Sequence, residues 1–129
     1  MTFSSTDHAM MREAISLSRR GEGHVEPNPM VGCVLAGGDT IVGRGWHESF
    51  GGPHAEVNAI ADARRLGVDR FADVTAYVTL EPCSHHGKTP PCCDALIDAG
   101  VGRVVIAAGD PSDQVNGRGM SRLVEAGVR

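Results

Sequence analysis

Long apolar runs are missing from this chain of 129 residues. None approaches the roughly 20 consecutive apolar residues of a membrane-spanning helix, and the opening from Met1 to Asp7 lacks the basic start and apolar stretch of a secretion signal. A cytoplasmic protein is therefore expected. Basic charge is short as well: 12 Lys and Arg stand against 16 Asp and Glu, for a net charge of −4 and a pI near 5.8. A protein that wraps a phosphate backbone draws its affinity from clustered cations, so nucleic acid is disfavoured as a ligand. Aromatics are few, and Phe3, Trp46, Phe50, Phe71 and Tyr77 are scattered rather than arrayed as a stacking platform for single strands. These absences leave a small molecule as the expected substrate.

The length suits one domain with one core, and no internal repeat or low-complexity segment divides it. Asp7 is expected to cap a first helix to about Arg20, with Met10, Met11, Ala14, Ile15 and Leu17 on one face and Gly21 at its end. The apolar run Met30 to Ala36, a Gly37-Gly38-Asp39 turn and a second run from Ile41 to Trp46 predict a hairpin. Gly51-Gly52-Pro53 precedes a predicted second helix over 54–66, with Val57, Ile60 and Ala61 inward. Val74, Ala76, Val78 and Leu80 alternate as a strand that leads into Glu81-Pro82-Cys83. Pro91 suits the first turn of a third helix to about Ala99, and the unbroken apolar run Val104 to Ala108 predicts a strand buried on both faces. Strand, helix, strand implies a parallel crossover. Met120, Leu123 and Val124 mark a last helix, with no strand after it before Arg129.

Cysteine is used in a way that suggests metal rather than disulfides. Of four, Cys83, Cys92 and Cys93 crowd one loop, and no secretion signal accompanies them, while Cys33 stands apart and is expected to pack as a small apolar side chain. His54, Cys83 and Cys92 offer one imidazole and two thiolates, a set suited to zinc, and Glu56 lies two residues from the imidazole. Three protein ligands leave a fourth tetrahedral position open, where water has a pKa near 7, roughly. Attack of that water on an amino-bearing ring carbon releases ammonia if Glu56 shuttles the protons. Both ligand-bearing segments fall at predicted helix starts, whose unpaired N–H groups and partial positive charge favour thiolate and hydroxide. Each residue alone has an ordinary explanation: His54 as a cap, Glu56 as a first-turn acid, Cys92 as a core thiol on a stripe with Ala95, Leu96 and Ala99. The conjunction of His-x-Glu at one helix start with Pro-Cys ahead of another is the general signature of zinc deaminases.

That signature separates its two cysteines by two residues, whereas eight intervene between Cys83 and Cys92. With this long loop, Val31-Gly32-Cys33-Val34, Gly52-Pro53-His54-Ala55-Glu56-Val57, the stretch from Thr79 to Cys92, and Asp110-Pro111, nearly the whole chain resembles the deaminase half of the bifunctional riboflavin-biosynthesis deaminase/reductase family. The resemblance implies a three-layer α/β/α fold like that of cytidine deaminases, with a mixed sheet whose last strand is missing from this chain. It implies His54, Cys83 and Cys92 as zinc ligands and Glu56 as proton shuttle. The implied reaction replaces the ring 2-amino group of 2,5-diamino-6-(5-phosphoribosylamino)pyrimidin-4(3H)-one by oxygen, with a reductase domain, fused or separate, as partner.

Asn28 matches a family asparagine and is a candidate contact to the ring or ribose, with His47 a second; as a turn residue Asn28 has a structural explanation too. Lys88, the only lysine, sits in the motif loop where a point charge could meet the substrate phosphate, and Arg118 is a further candidate. His85 and His86 are given supporting roles in the loop. Cys93 is assigned to packing, since consecutive helical residues point about 100° apart. Ser112 and Asp113 depart from the family's usual asparagine and proline, which puts substrate contacts from that loop in doubt. Two other readings stand beside this one: deamination of a free base or nucleotide of the guanine or cytosine type, and an inert zinc-stabilised interaction domain. Exposed sheet edges and the family resemblance both admit a homo-oligomer.

Overall fold

The structure, a computed structural model, describes residues 4–24, 30–49, 52–79 and 92–106, with side chains from residue 95 onward in the last segment. Its first helix, α1 (Ser5–Ser18), is capped by Ser4, whose hydroxyl accepts from the Asp7 N–H at 3.0 Å while the Asp7 carboxylate accepts from the Ser4 N–H at 3.0 Å. Such a reciprocal box satisfies two donors that a helix start leaves unpaired. Asp7 is thus the third helical residue and not the cap that the sequence suggested. A short 3₁₀ turn, Arg19–Gly21, finishes the element.

The expected hairpin forms as β1 (Gly32–Gly37) and β2 (Thr40–Trp46), antiparallel, with Gly32 opposite Trp46. Gly38 opens the two-residue turn at a φ of +61°, a conformation that tight hairpins use and that glycine adopts without a side-chain clash. β3 (Val74–Val78) pairs antiparallel with β1; α3 (Cys92–Ala99) then leads to β4 (Arg103–Ile106), which runs parallel to β3. The sheet is mixed, in the order β2-β1-β3-β4.

Side chains alternate across a strand, so successive residues of β1 feed two different cores. Val34 and Ala36, with Tyr77 and Val105, pack under Met10, Ala14 and Leu17 of α1. Cys33 and Leu35, with Ala76 and Val78, pack under Leu96 of α3 and Ala55, Ala59, Ile60 and Ala63 of α2 (Ala55–Arg65). These are the three layers that the family resemblance implied. Because helices cover both faces, β3 is buried at four of its five positions and simple alternation fails there. In β4 only Val105 is fully buried, so the expectation of a strand buried on both faces does not hold for its described residues; β4 ends the described strand order.

The inward face of α2 also differs from expectation. Ala55, Glu56, Ala59, Ile60 and Ala63 are buried, whereas Ala61 is exposed and Val57 only partly covered. The cause lies in β2: a Cβ added at Gly45 would stand 2.3 Å from the Ala59 nitrogen and 2.4 Å from the Ala55 oxygen, and one at Gly43 would stand 2.6 Å from the Ala59 oxygen. Backbone approaches this close require small residues on both sides, so α2 turns its alanine stripe, not its most apolar one, onto the strand. Among the described residues no helix is long and apolar enough to cross a membrane. The last helix expected around Met120 to Val124 lies outside the described residues.

Candidate active site

His54 is the N-cap of α2, with extended backbone angles of φ −78° and ψ 169°, and Glu56 follows in the first turn. The partial positive charge of a helix start favours a carboxylate at that position. Glu56 is nevertheless only 3% exposed, a burial that is unusual for an acid and marks it for explanation. Beside it lies Cys33, fully buried; desolvation pushes its thiol well above the usual range, and the negative charge of Glu56 pushes it further. A thiol held protonated is a poor nucleophile and a poor ligand, which supports the expected packing role of Cys33.

β2 ends at Trp46, so His47 leaves the sheet where α2 begins. Its ring is 2% exposed and meets the His54 ring edge to face, at 5.1 Å between centroids and 86° between planes. His47 Nδ1 lies 3.1 Å from the Pro53 carbonyl oxygen. A carbonyl only accepts, so Nδ1 carries a hydrogen and donates this bond. The Asn58 side chain donates to the Trp46 carbonyl at 2.8 Å and to the Pro53 carbonyl at 3.3 Å. Sequence reasoning passed over Asn58; its one signal was a polar amide four residues after His54, one helical turn along.

Thr79 extends the pairing of β3 with β1, its N–H donating to the Gly32 carbonyl at 3.1 Å and its hydroxyl accepting from the Gly32 N–H at 3.1 Å. Gly32 also faces Trp46 across the hairpin, so residues 47 and 79 depart from the same end of the sheet. α3 joins two parallel strands and must begin at that end too, which brings the start of α3, at residue 92, to the end that carries His47, His54 and Glu56. Open α/β sheets bind their ligands at this end, beyond the strand carboxyl termini. The structure thus gathers His47, His54 and Glu56 and brings the backbone of Cys92 to their end of the sheet. Asn28, Cys83, His85, His86, Lys88, Arg118 and the side chains of Cys92 and Cys93 lie outside the described residues. Among the described residues, no three His, Cys, Asp or Glu side chains converge as a metal site.

Residues 4–108 match the family model described as the cytidine and deoxycytidylate deaminase zinc-binding region. The chain belongs to this deaminase family. The matched span takes in His47, His54, Glu56, Cys83 and Cys92, so these candidates fall within the family's zinc-binding region. Riboflavin biosynthesis protein RibD of Escherichia coli is 53% identical over 122 residues, which are 95% of this chain and 32% of that protein. The diaminohydroxyphosphoribosylamino-pyrimidine deaminase of Buchnera aphidicola is 46% identical over 122 residues, covering 95% of this chain and 80% of that one. The crystal structure of a diaminohydroxyphosphoribosylaminopyrimidine deaminase/5-amino-6-(5-phosphoribosylamino)uracil reductase from Thermotoga maritima superposes with a TM-score of 0.90 at 45% identity, over 96% of this chain and 35% of that one. This deaminase-family chain therefore spans about a third of the Escherichia coli and Thermotoga relatives and four-fifths of the Buchnera one.

Proposed function

We propose that the chain hydrolyses the ring 2-amino group of 2,5-diamino-6-(5-phosphoribosylamino)pyrimidin-4(3H)-one in riboflavin biosynthesis, giving 5-amino-6-(5-phosphoribosylamino)uracil and ammonia. The observation that carries this reading is the burial of Glu56, 3% exposed, in the first turn of a helix whose cap, His54, meets the ring of a buried His47. An acid buried at the ligand-binding end of a sheet suits proton transfer better than scaffolding. The names of the 46% and 53% identical relatives support the substrate and the pathway.

In this reading His54, Cys83 and Cys92 would hold zinc, and the chemistry of the donor set fits it: one imidazole nitrogen and two thiolate sulfurs, with His54 at the start of α2, the backbone of residue 92 at the same end of the sheet, and Glu56 outside the ligand set. Bound zinc supplies acidification of water to a pKa of about 7. Glu56 takes a proton from the attacking water on a carboxylate oxygen and delivers it to a ring nitrogen, which breaks the aromatic system so that oxygen can add at carbon. The second water proton returns through Glu56 to the amino group, which departs as ammonia, and oxygen has replaced nitrogen with all protons accounted for. Burial keeps bulk water from intercepting these transfers. In this reading His47 and Asn28 contact the ring or ribose, and Lys88 and Arg118 meet the phosphate. The reductase that consumes the product is supplied by a further domain or a separate chain. A phosphorylated substrate does not diffuse through a bilayer, so the reaction belongs to the compartment that makes it, here assigned to the cytoplasm.

The test is ammonia release from the diaminopyrimidine nucleotide by metal-replete and chelated protein. Release that stops on chelation and returns with zinc supports the proposal. Release only from a guanine or cytosine compound would transfer the chemistry to that substrate, and zinc bound with a full set of protein ligands and no turnover would leave an interaction domain.

A further inference from the structure

The edge strand β2 is tied to α2 by two side-chain staples. At the end remote from the candidate site, Asp62 accepts the Arg44 N–H at 2.9 Å. At the site end, Asn58 donates to the Trp46 carbonyl at 2.8 Å. Residues 44 and 46 have the same parity, so both staples cover the backbone groups that β2 turns away from β1, groups that an edge strand otherwise offers to another chain. Asp62 accepts its bond and also pairs with Arg65, whereas Asn58 donates and reaches toward the site. Asn58 also reaches the Pro53 carbonyl at 3.3 Å, the group to which His47 Nδ1 donates at 3.1 Å, and its own N–H donates to the His54 carbonyl at 3.1 Å.

We propose that Asn58 is a positioning residue for the zinc-bearing imidazole: by holding the carbonyls of Trp46 and Pro53 together it fixes the His54 backbone and aligns His47 against the His54 ring. The proposal rests on the deaminase reading above. The peptide unit before the His54 Cα is held through the Pro53 oxygen by two donors, and the one after it through the His54 oxygen by the first helical hydrogen bond. With both flanking peptides held, the Cα–Cβ direction of His54 is set by the backbone, and the His47 edge 5.1 Å away limits how the ring can turn. Groups that orient a metal ligand in this way govern how tightly metal is held, because a free ligand that wanders must be reordered at each binding event. Asp62 offers the control, since it also staples β2 to α2 without touching residues 53 or 54.

The experiment measures zinc affinity by competition with a coloured chelator, the melting temperature of metal-free protein, and kcat and KM, for the native chain, Asn58→Ala, Asn58→Asp and Asp62→Asn. Asn58→Asp keeps shape but replaces the donating NH₂ with an oxygen facing two carbonyls; Asn58→Ala removes the amide without adding charge. Both Asn58 variants are expected to weaken zinc binding about 10- to 100-fold, the usual cost of removing a group that orients a metal ligand, with KM within about twofold. Asp62→Asn is expected to lower the melting temperature and leave zinc affinity unchanged. If the Asn58 variants hold zinc as tightly as native protein, or if Asp62→Asn loses as much affinity as they do, the positioning role is overturned and the deaminase reading stands. If native protein takes up no zinc, the deaminase reading falls and this inference with it.

Discussion

Asp7 and Glu56 both sit in the first turn of a helix, both are buried, and their helices cover opposite faces of one sheet. Asp7 is enclosed by donors: the Tyr77 hydroxyl at 2.6 Å, two Arg103 nitrogens at 3.0 and 3.2 Å, and the Ser4 N–H at 3.0 Å. Arg103 contributes most to holding its carboxyl well below the usual carboxylate range, the Tyr77 hydroxyl adds to this, and burial opposes both. That charge is fixed, and it ties α1 to β3 and β4. Glu56 keeps different company: the Cys33 thiol lies close enough to feel its charge, and its helix is capped by His54, whose ring meets that of His47. A carboxylate committed to an arginine cannot gain and lose protons near neutral pH, whereas proton transfer is the role proposed above for Glu56. Burial alone therefore does not separate a structural acid from a catalytic one; the neighbours do.

The most severe way to break this contrast is to exchange each acid for its amide. Glu56→Gln is expected to lower kcat by ~10²- to 10⁴-fold, the range of general acid/base catalysis, while zinc content and melting temperature stay near those of the native chain. Near-normal turnover in that variant would remove Glu56 from the mechanism. Asp7→Asn is expected to do the opposite, lowering stability by about 3 kcal/mol because Arg103 loses its counter-charge, and leaving kcat intact wherever the protein is folded. Denaturant unfolding measures the first effect and ammonia release the second. The pH dependence sharpens the pair. The Asp7 carboxyl is depressed in the folded state, so its contribution is complete above the unfolded value of about 3.9 and is lost as pH falls further toward the native one. Unfolding curves of Asp7→Asn should lack that acid-side decline, and an identical decline in both proteins would detach it from Asp7.

How far these two acids could be read in the sequence follows from the range of the contacts that define them. Glu56 could be singled out as a candidate because His54 lies two residues away and the motif is local, but its burial was not foreseen, since Val57, Ile60 and Ala61 were expected inward. The hairpin and the parallel crossover were legible because their signals are local too: Gly38, Asp39 and Gly100 punctuate apolar runs that have nowhere else to pair. Asp7 was misread as a cap because its box with Ser4 puts the cap three residues earlier, and its structural charge was missed because Tyr77 and Arg103 are 70 and 96 positions away. The face of α2 was misread because apolar character was weighed while the close approach of Gly43 and Gly45 selected for smallness. Asn58 was missed since an amide that binds two backbone carbonyls leaves no pattern in the chain around it. The pairing of His54 with Cys83 and Cys92 rests on the motif and the family match; the sheet end at which the α3 start joins His54 follows from topology alone.

The gentlest perturbation of the structural acid is at Tyr77, the only tyrosine of the chain. Its hydroxyl donates to the Asp7 carboxylate, and burial first, then this bond, pushes its pKa up to about 12. Because no other tyrosine absorbs, a spectrophotometric titration of the folded protein reports this one group. The midpoint is expected near 12, and Asp7→Asn should bring it down toward the ordinary value of about 10 without reaching it, since desolvation by the α1 core remains. Tyr77→Phe keeps the ring and removes one of the donors to Asp7, leaving Arg103 and the Ser4 N–H in place, so its cost should be about 1 kcal/mol, less than that of Asp7→Asn. Glu56 chemistry lies across the sheet from this change, so kcat should not move. A Tyr77→Phe chain that unfolds as readily as Asp7→Asn would mean that the hydroxyl, and not the arginine, holds the carboxylate in place. A loss of turnover in a folded Tyr77→Phe chain would mean that the two faces of the sheet are coupled and the division between the two acids is not as sharp as their surroundings suggest.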